Sequence, residues 1–269
     1  MKKILSLLLI TFTIVTACDT MDEINTDPNL STTVPPSFLS NNIILNATSF
    51  SSGKWLLEEA WIMKTQSFTE HFEEPLYNKF NRESFSSYHN LVDAQKMLDL
   101  VNADATINEG VRNSYEGLYH FMRAFFFFEA SMKMGDIPCS EALKGETEGV
   151  FMSKYDTQEK VFGTIIRELE LATAAFDKGS TFTGDVIYKG NPEKWQKLTH
   201  SFALKVLINL SKKTTVDGID VKAEFEKYAK KTVMEDESDN FQRVYAAKAK
   251  ERYPFSRIDQ NYWSYPVMG

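Results

Sequence analysis

Residues 109–134, EGVRNSYEGLYHFMRAFFFFEASMKM, decide the fold. Tyr115, Leu118, Tyr119, Met122 and Phe126 fall at i, i+3, i+4, i+7 and i+11, the stripe that one face of an α-helix presents. Phe125 to Phe128 add aromatic side chains around the rest of the circumference, which predicts a helix buried on more than one side. Gly135 stops it, and Pro138 prevents its continuation.

Working outward, the same periodicity returns in 157–177, where Phe162, Ile165, Ile166, Leu169 and Phe176 make a second stripe. Asp156 is the expected N-cap there, with Glu159 three residues on completing a capping-box-like pair. Asn191 followed by Pro192 supplies the next helix with an N-cap and a proline at its first position. The expected helices run over roughly 37–50, 55–76, 84–103, 109–134, 157–177, 192–213 and 221–236. Strand signals are few and short. The fold class is therefore all-α, an array of tetratricopeptide-like helical hairpins, and Ala124 to Phe128 has the Ala-x3-Phe spacing of that repeat. Loop-rich segments are expected at the two ends. Residues 19–36 place Pro28, Pro35 and Pro36 among Asn, Asp, Ser and Thr. The stretch 237–269 carries Phe241, Tyr245, Tyr253, Phe255, Tyr262, Trp263 and Tyr265, and either packs back onto the helices or leads into a longer chain.

The N-terminus speaks to location. Lys2 and Lys3 precede an apolar run from Ile4 to Val15, too short to span a bilayer, and then Thr16-Ala17-Cys18. A secretory signal cleaved near Ala17 is one reading. A branched residue at Val15, two small residues and then Cys18 make a lipobox, in which the thiol is acylated and becomes the first mature residue. The expected organisation is a lipoprotein signal over 1–17, a lipidated tether over 18–36 and one helical domain over 37–269. If Cys18 carries lipid, Cys139 is the second of the 2 cysteines and has no thiol left to pair with, so packing must hold the domain together. The chain of 269 residues has a formal net charge of −7, and removing the signal takes away two lysines and no acid. That balance argues against a general nucleic-acid binder, which needs a basic face. The acidic residues Asp19, Asp22 and Glu23 beside the anchor would stand the body off anionic lipid.

Catalytic constellations are weak. His71, His89, His120 and His200 lie on separate expected helices, with no His-Glu-x-x-His pattern, nucleophile elbow, phosphate-binding loop or dinucleotide turn. His71 with Glu70, Glu73 and Glu74 reads as a solvated helix face in preference to half a metal site. Glu116 and His120 read as an i, i+4 side-chain pair. Asn25, Asp27 and Asn29 alternate like a calcium loop, but Leu30 stands at the glycine position and Pro36 at that of the bidentate Glu. Cys139, in Gly-Asp-Ile-Pro-Cys, reads as a packed structural thiol. Trp55, Trp61 and Trp195 occupy helical positions suited to core packing, while Trp263 is less constrained. No metal, cofactor or catalytic residue is expected.

Ordered motifs carry a family likeness. Behind the lipobox come Ile24-Asn25-Thr26-Asp27-Pro28-Asn29 and Val34-Pro35-Pro36, then Met134-Gly135-Asp136-Ile137-Pro138 with Ser140-Glu141-Ala142-Leu143, then Tyr155-Asp156-Thr157-Gln158-Glu159, then Gly184-Asp185-Val186-Ile187-Tyr188 with Gly190 and Lys194-Trp195. Together they resemble the SusD/RagB-like nutrient-binding outer-membrane lipoproteins. The resemblance implies a non-catalytic, surface-exposed protein anchored at the outer membrane through Cys18. Such a protein binds glycan or another nutrient and serves as the lid of a TonB-dependent SusC-like transporter. Cys139 replaces the tyrosine usual after Gly-Asp-Ile-Pro. Family members are substantially longer, so the chain is expected to be incomplete at its C-terminus, and the matched motifs point to no ligand-binding residue. A lipid-anchored glycoside hydrolase and a truncated helical scaffold without ligand binding are the alternatives.

Overall fold

The computed structural model describes residues 34–49, 60, 62–68, 84–248 and 266–268. The signal segment, Cys18, nearly all of the tether, His71 with its glutamates, Trp55, Trp61 and the aromatic residues from Tyr253 to Tyr265 lie outside the described residues.

The domain is all-α. Helices α1 (Pro36–Ala47), α2 (Tyr88–Ala103), α3 (Glu109–Met134), α4 (Gly145–Glu148), α5 (Gln158–Asp177), α6 (Pro192–Asn209) and α7 (Val221–Ala229) make up most of the described residues. Two short antiparallel ribbons accompany them: β1 (Gln66–Phe68), β2 (Thr215–Val216), β3 (Ile219–Asp220) and β4 (Pro266–Met268), paired β1 with β4 and β2 with β3. Packing mostly follows chain order, α1 on α2, α2 on α3, α5 on α6 and α6 on α7; α3 also meets α1 and α6, and α3 on α5 is the most extensive contact. Successive helix pairs stacked in this way are what the periodicity predicts. No helix among the described residues is long and apolar enough to cross a membrane.

Helix α3 occupies the span read from the sequence. The Asn108 side chain accepts from the Val111 backbone N–H at 2.9 Å, and Gly135 ends the helix at φ +79°. In the first turn, Arg112 reaches back to the carbonyls of Val101, Asp104 and Ile107 at 2.6, 3.1 and 3.2 Å, so a cation on α3 caps the C-terminus of α2 and fixes the hairpin between them. The aromatic run behaves as expected: Phe126, Phe127 and Phe128 are buried, and Phe125 partly so. Phe121 meets Trp195, Phe202 and Phe241 edge to face with centroids 5.6, 5.7 and 6.2 Å apart. Phe241 thus brings the first part of the aromatic C-terminal stretch back onto the helices.

Four boundaries differ from the sequence reading. The expected helix 55–76 is interrupted: Ala60 and Ile62 are helical, Lys64 adopts φ +58°, and Gln66–Phe68 is a strand. The Thr65 N–H closes back on the Ala60 carbonyl at 2.9 Å, the six-to-one bond of a Schellman stop, made here without the glycine that would have announced it. The helix expected over 192–213 ends at Asn209, and the chain turns through β2 and β3 with Asp217 and Gly218 both at positive φ, the Asp-Gly turn of a tight hairpin. The helix expected over 221–236 ends at Ala229, because α6 takes the backbone groups that follow: His200 Nδ1 lies 2.7 Å from the Thr232 carbonyl, and Ser201 Oγ accepts from Met234 N at 2.9 Å. The N-cap of α5 is Thr157, not Asp156.

Candidate ligand cleft and the motifs that frame it

Asp156 is spared capping because it joins two motifs. Its carboxylate accepts from the backbone of Cys139 and Ser140 at 3.2 and 2.6 Å, from Ser140 Oγ at 2.9 Å and from Lys160 Nζ at 2.5 Å. Ile137 and Asp156 form an antiparallel bridge, and Asp136 accepts from Gln158 N at 2.8 Å. Gly-Asp-Ile-Pro-Cys-Ser and Tyr-Asp-Thr-Gln-Glu are therefore two sides of one clamp that closes the loop 139–155. Burial works against ionisation of Asp156, and the Lys160, Ser140 and Cys139 donors more than offset it, holding the carboxyl down to about 2. Its contribution to stability is complete above the ordinary carboxylate value and lost as pH falls from about 4 to about 2. The advantage of the wild type over Asp156→Asn in urea midpoint, present at pH 5, is expected to vanish across that window.

Asp185 organises the third motif. Its carboxylate accepts from the backbone N–H groups of Ile187, Tyr188 and Gly190 at 2.9, 3.1 and 2.8 Å and from the Trp195 indole at 2.8 Å. Gly184 and Gly190 sit at φ +83° and +77°, and a Cβ would lie 2.1 Å from the Ser37 carbonyl in the first case and 1.9 Å from that of Phe182 in the second. Tyr188 donates to the Asp239 carbonyl at 2.6 Å and Lys194 to that of Ser238 at 2.7 Å, which binds the start of α6 to the segment after α7. The Asp156 clamp and the Asp185 turn thus build scaffold, while Ser140, Ala142 and Leu143 of the matched motifs also line a cleft.

The clamp shapes a cleft of about 290 Å³. Gln95 and Asp99 of α2 and Tyr119 and Arg123 of α3 form one side; Cys139, Ser140, Ala142, Leu143, Lys144, Thr147 and Glu148 form the other. Leu143 holds φ +65°, an uncommon backbone state for a leucine, on the rim. The Tyr119 hydroxyl donates to Gln95 Oε1 at 2.8 Å, and Gln95 Nε2 donates to Asp99 Oδ1 at 2.9 Å. Burial raises the Tyr119 hydroxyl above its ordinary value, so it remains a donor at neutral pH. Arg123 gives its Nε to Glu168 Oε1 at 2.8 Å, and its guanidinium lies over the rings of Tyr119 and Phe127, 5.4 and 5.1 Å from their centroids. Lys144 pairs with Glu148 at 3.2 Å.

The expected Glu116–His120 pair is present, and Glu168 adds a closer partner. The expected partner Glu116 is 3.9 Å from Nε2, whereas Glu168 Oε2 on α5 is 2.6 Å from Nδ1. His120 and Arg123, one turn apart on α3, converge on one buried carboxylate. Nothing in the local spacing shows this, since Glu168 is 45 residues beyond Arg123 in the chain. Cys139 is free and 2% exposed, and burial pushes its thiol up to about 11, which suits packing and not nucleophilic attack. Trp195 is fully buried, as its helical position implied.

The profile of a family described as starch-binding and associating with the outer membrane matches residues 28–265. The chain belongs to the SusD-like family. Solved structures agree. A SusD homologue from Bacteroides fragilis is 38% identical with a TM-score of 0.72, covering 80% of this chain and 44% of its own. A second from the same species is 34% identical with a TM-score of 0.72, covering 82% and 46%. An outer membrane protein from Bacteroides vulgatus is 33% identical with a TM-score of 0.71, again covering 82% and 46%. This SusD-like chain therefore spans less than half the length of the structures it matches. Among curated protein sequences none matches it.

Proposed function

We propose that this SusD-like protein is a non-catalytic, cell-surface lipoprotein of the outer membrane, anchored through Cys18, that binds glycan or another nutrient and acts as the lid of a TonB-dependent SusC-like transporter. The observation that carries the reading is the match to the SusD-like profile from residue 28 to 265, immediately behind a lipobox. The helical body supports it: Asp156 and Asp185 lock its loops onto the helices, and a lid needs a rigid body on a flexible tether. The cleft chemistry supports binding without hydrolysis. Glycoside cleavage requires one protonated carboxylic acid beside a second carboxylate. Glu148 is ion-paired with Lys144, and Asp99 accepts from the Gln95 amide, arrangements that suit acceptors of hydrogen bonds.

Full-length chain expressed with its own signal is expected in the membrane fraction, with Cys18→Ala released to the soluble fraction. Retention of the variant in the membrane refutes lipid anchoring. Purification from outer membranes is expected to bring a large β-barrel protein with it, and recovery of the chain alone refutes the lid role. Titration against a panel of oligosaccharides tests binding; turnover of any of them revives the hydrolase reading.

A further inference from the structure

We propose that the cleft between α2, α3 and the 139–148 loop is a subsite for a single uncharged sugar ring, held by two adjacent hydroxyls that bridge Asp99 and Arg123. The inference rests on the glycan-binding reading above and adds the place and the ligand class. Three features of the cleft carry it.

Size comes first. About 290 Å³ is at the bottom of the usual range for small-molecule sites, which suits one ring and not a chain of them. Charge comes second. Asp99 and Glu148 balance Arg123 and Lys144 in the lining, and both cations are already paired, Arg123 with Glu168 at 2.8 Å and Lys144 with Glu148 at 3.2 Å. A carboxylated or sulfated sugar meets no spare cation there. Pre-organisation comes third. The relay from Tyr119 through Gln95 occupies Asp99 Oδ1 and orients the carboxylate; no hydrogen bond to Oδ2 is found among the described residues. The Arg123 fork is fixed by its bond to Glu168, by the rings of Tyr119 and Phe127 and by the Tyr119 hydroxyl beside it. A hydroxyl is at once donor and acceptor. In a vicinal pair, one hydroxyl donates to Asp99 while its neighbour accepts from the guanidinium, and Ala142 and Leu143 offer an apolar surface to the C–H face of the ring.

The full chain is titrated by ligand-observed NMR with methyl glucoside, methyl galactoside and methyl mannoside, beside methyl glucuronide as the charged counterpart. At least one neutral glycoside is expected to bind, about fivefold or more tighter than the glucuronide. Raising NaCl from about 50 to about 500 mM is expected to leave its affinity unchanged, because no net ion pair forms. Asp99→Asn, a substitution at an exposed position, is expected to weaken binding about tenfold with an unchanged circular dichroism spectrum. Arg123→Lys, which keeps the charge beside Glu168 but loses the fork, is expected to do the same. Equal or tighter binding of the glucuronide overturns the proposal, as does a folded Asp99→Asn chain that binds like the wild type. An oligosaccharide that binds regardless of Asp99→Asn refutes this subsite and leaves the glycan reading standing. Binding of no sugar at all refutes both.

Discussion

Asp185→Ala is expected to lower the unfolding free energy by about 3–5 kcal/mol, measured by urea denaturation followed by circular dichroism, with a large fall in Tm. The carboxylate is the acceptor for three backbone N–H groups and the Trp195 indole, all within the turn 184–190 and the start of α6. Removing it leaves buried donors without partners, each costing roughly 1–3 kcal/mol, although the losses do not add fully. Trp195 is fully buried and touches Phe121, Phe176, Tyr188 and Phe241, so loss of its anchor spreads into the aromatic core. Asp185→Asn keeps one acceptor oxygen but sets an amide nitrogen among N–H donors, and is expected to be intermediate. A variant with wild-type stability would show that the turn is held by its glycines alone.

Glu168→Ala is expected to cost about 3–5 kcal/mol by the same measurement, because it strands the Arg123 cation between helices. The Glu168 carboxyl sits below its ordinary value: burial opposes ionisation, and hydrogen bonds from His120 and Arg123 together with the charge of Arg123 outweigh it. The double variant Arg123→Met with Glu168→Leu tests whether the penalty is that of an unpaired charge. It is expected to recover most of the loss, since a buried ion pair and well-packed apolar side chains of similar volume are close in stability. If the double variant is as unstable as the single, the triad acts through geometry that apolar side chains cannot copy.

Helix α3, both of its ends, and the stripe on α5 were legible because amphipathic periodicity and capping are local: the information lies within a few turns of chain. The N-cap at Asn191 and the core position of Trp195 were legible for the same reason. Where the reading failed, a distant partner had outbid the local preference. Asp156 has the right chemistry for an N-cap and the right place in the chain, yet Cys139, Ser140 and Lys160 engage its carboxylate and the cap falls to Thr157. The early end of α7 arises from His200 and Ser201 on α6. The Asp217-Gly218 turn was a local signal and could have been read; the stop at Lys64 carried none, because a lysine there gives no hint of positive φ.

By itself the sequence determined the helical class, the order of the helices and the likeness to SusD/RagB proteins, since each depends on residue types at short, fixed spacings. The tertiary structure alone decided what the motif residues do and where a ligand cleft forms. Glu168 meets Arg123, and Asp185 meets Trp195, only when separate segments pack together, and the cleft is bounded by α2, α3 and a loop whose shape depends on Asp156. Side chains brought together by packing leave no periodic trace in the chain.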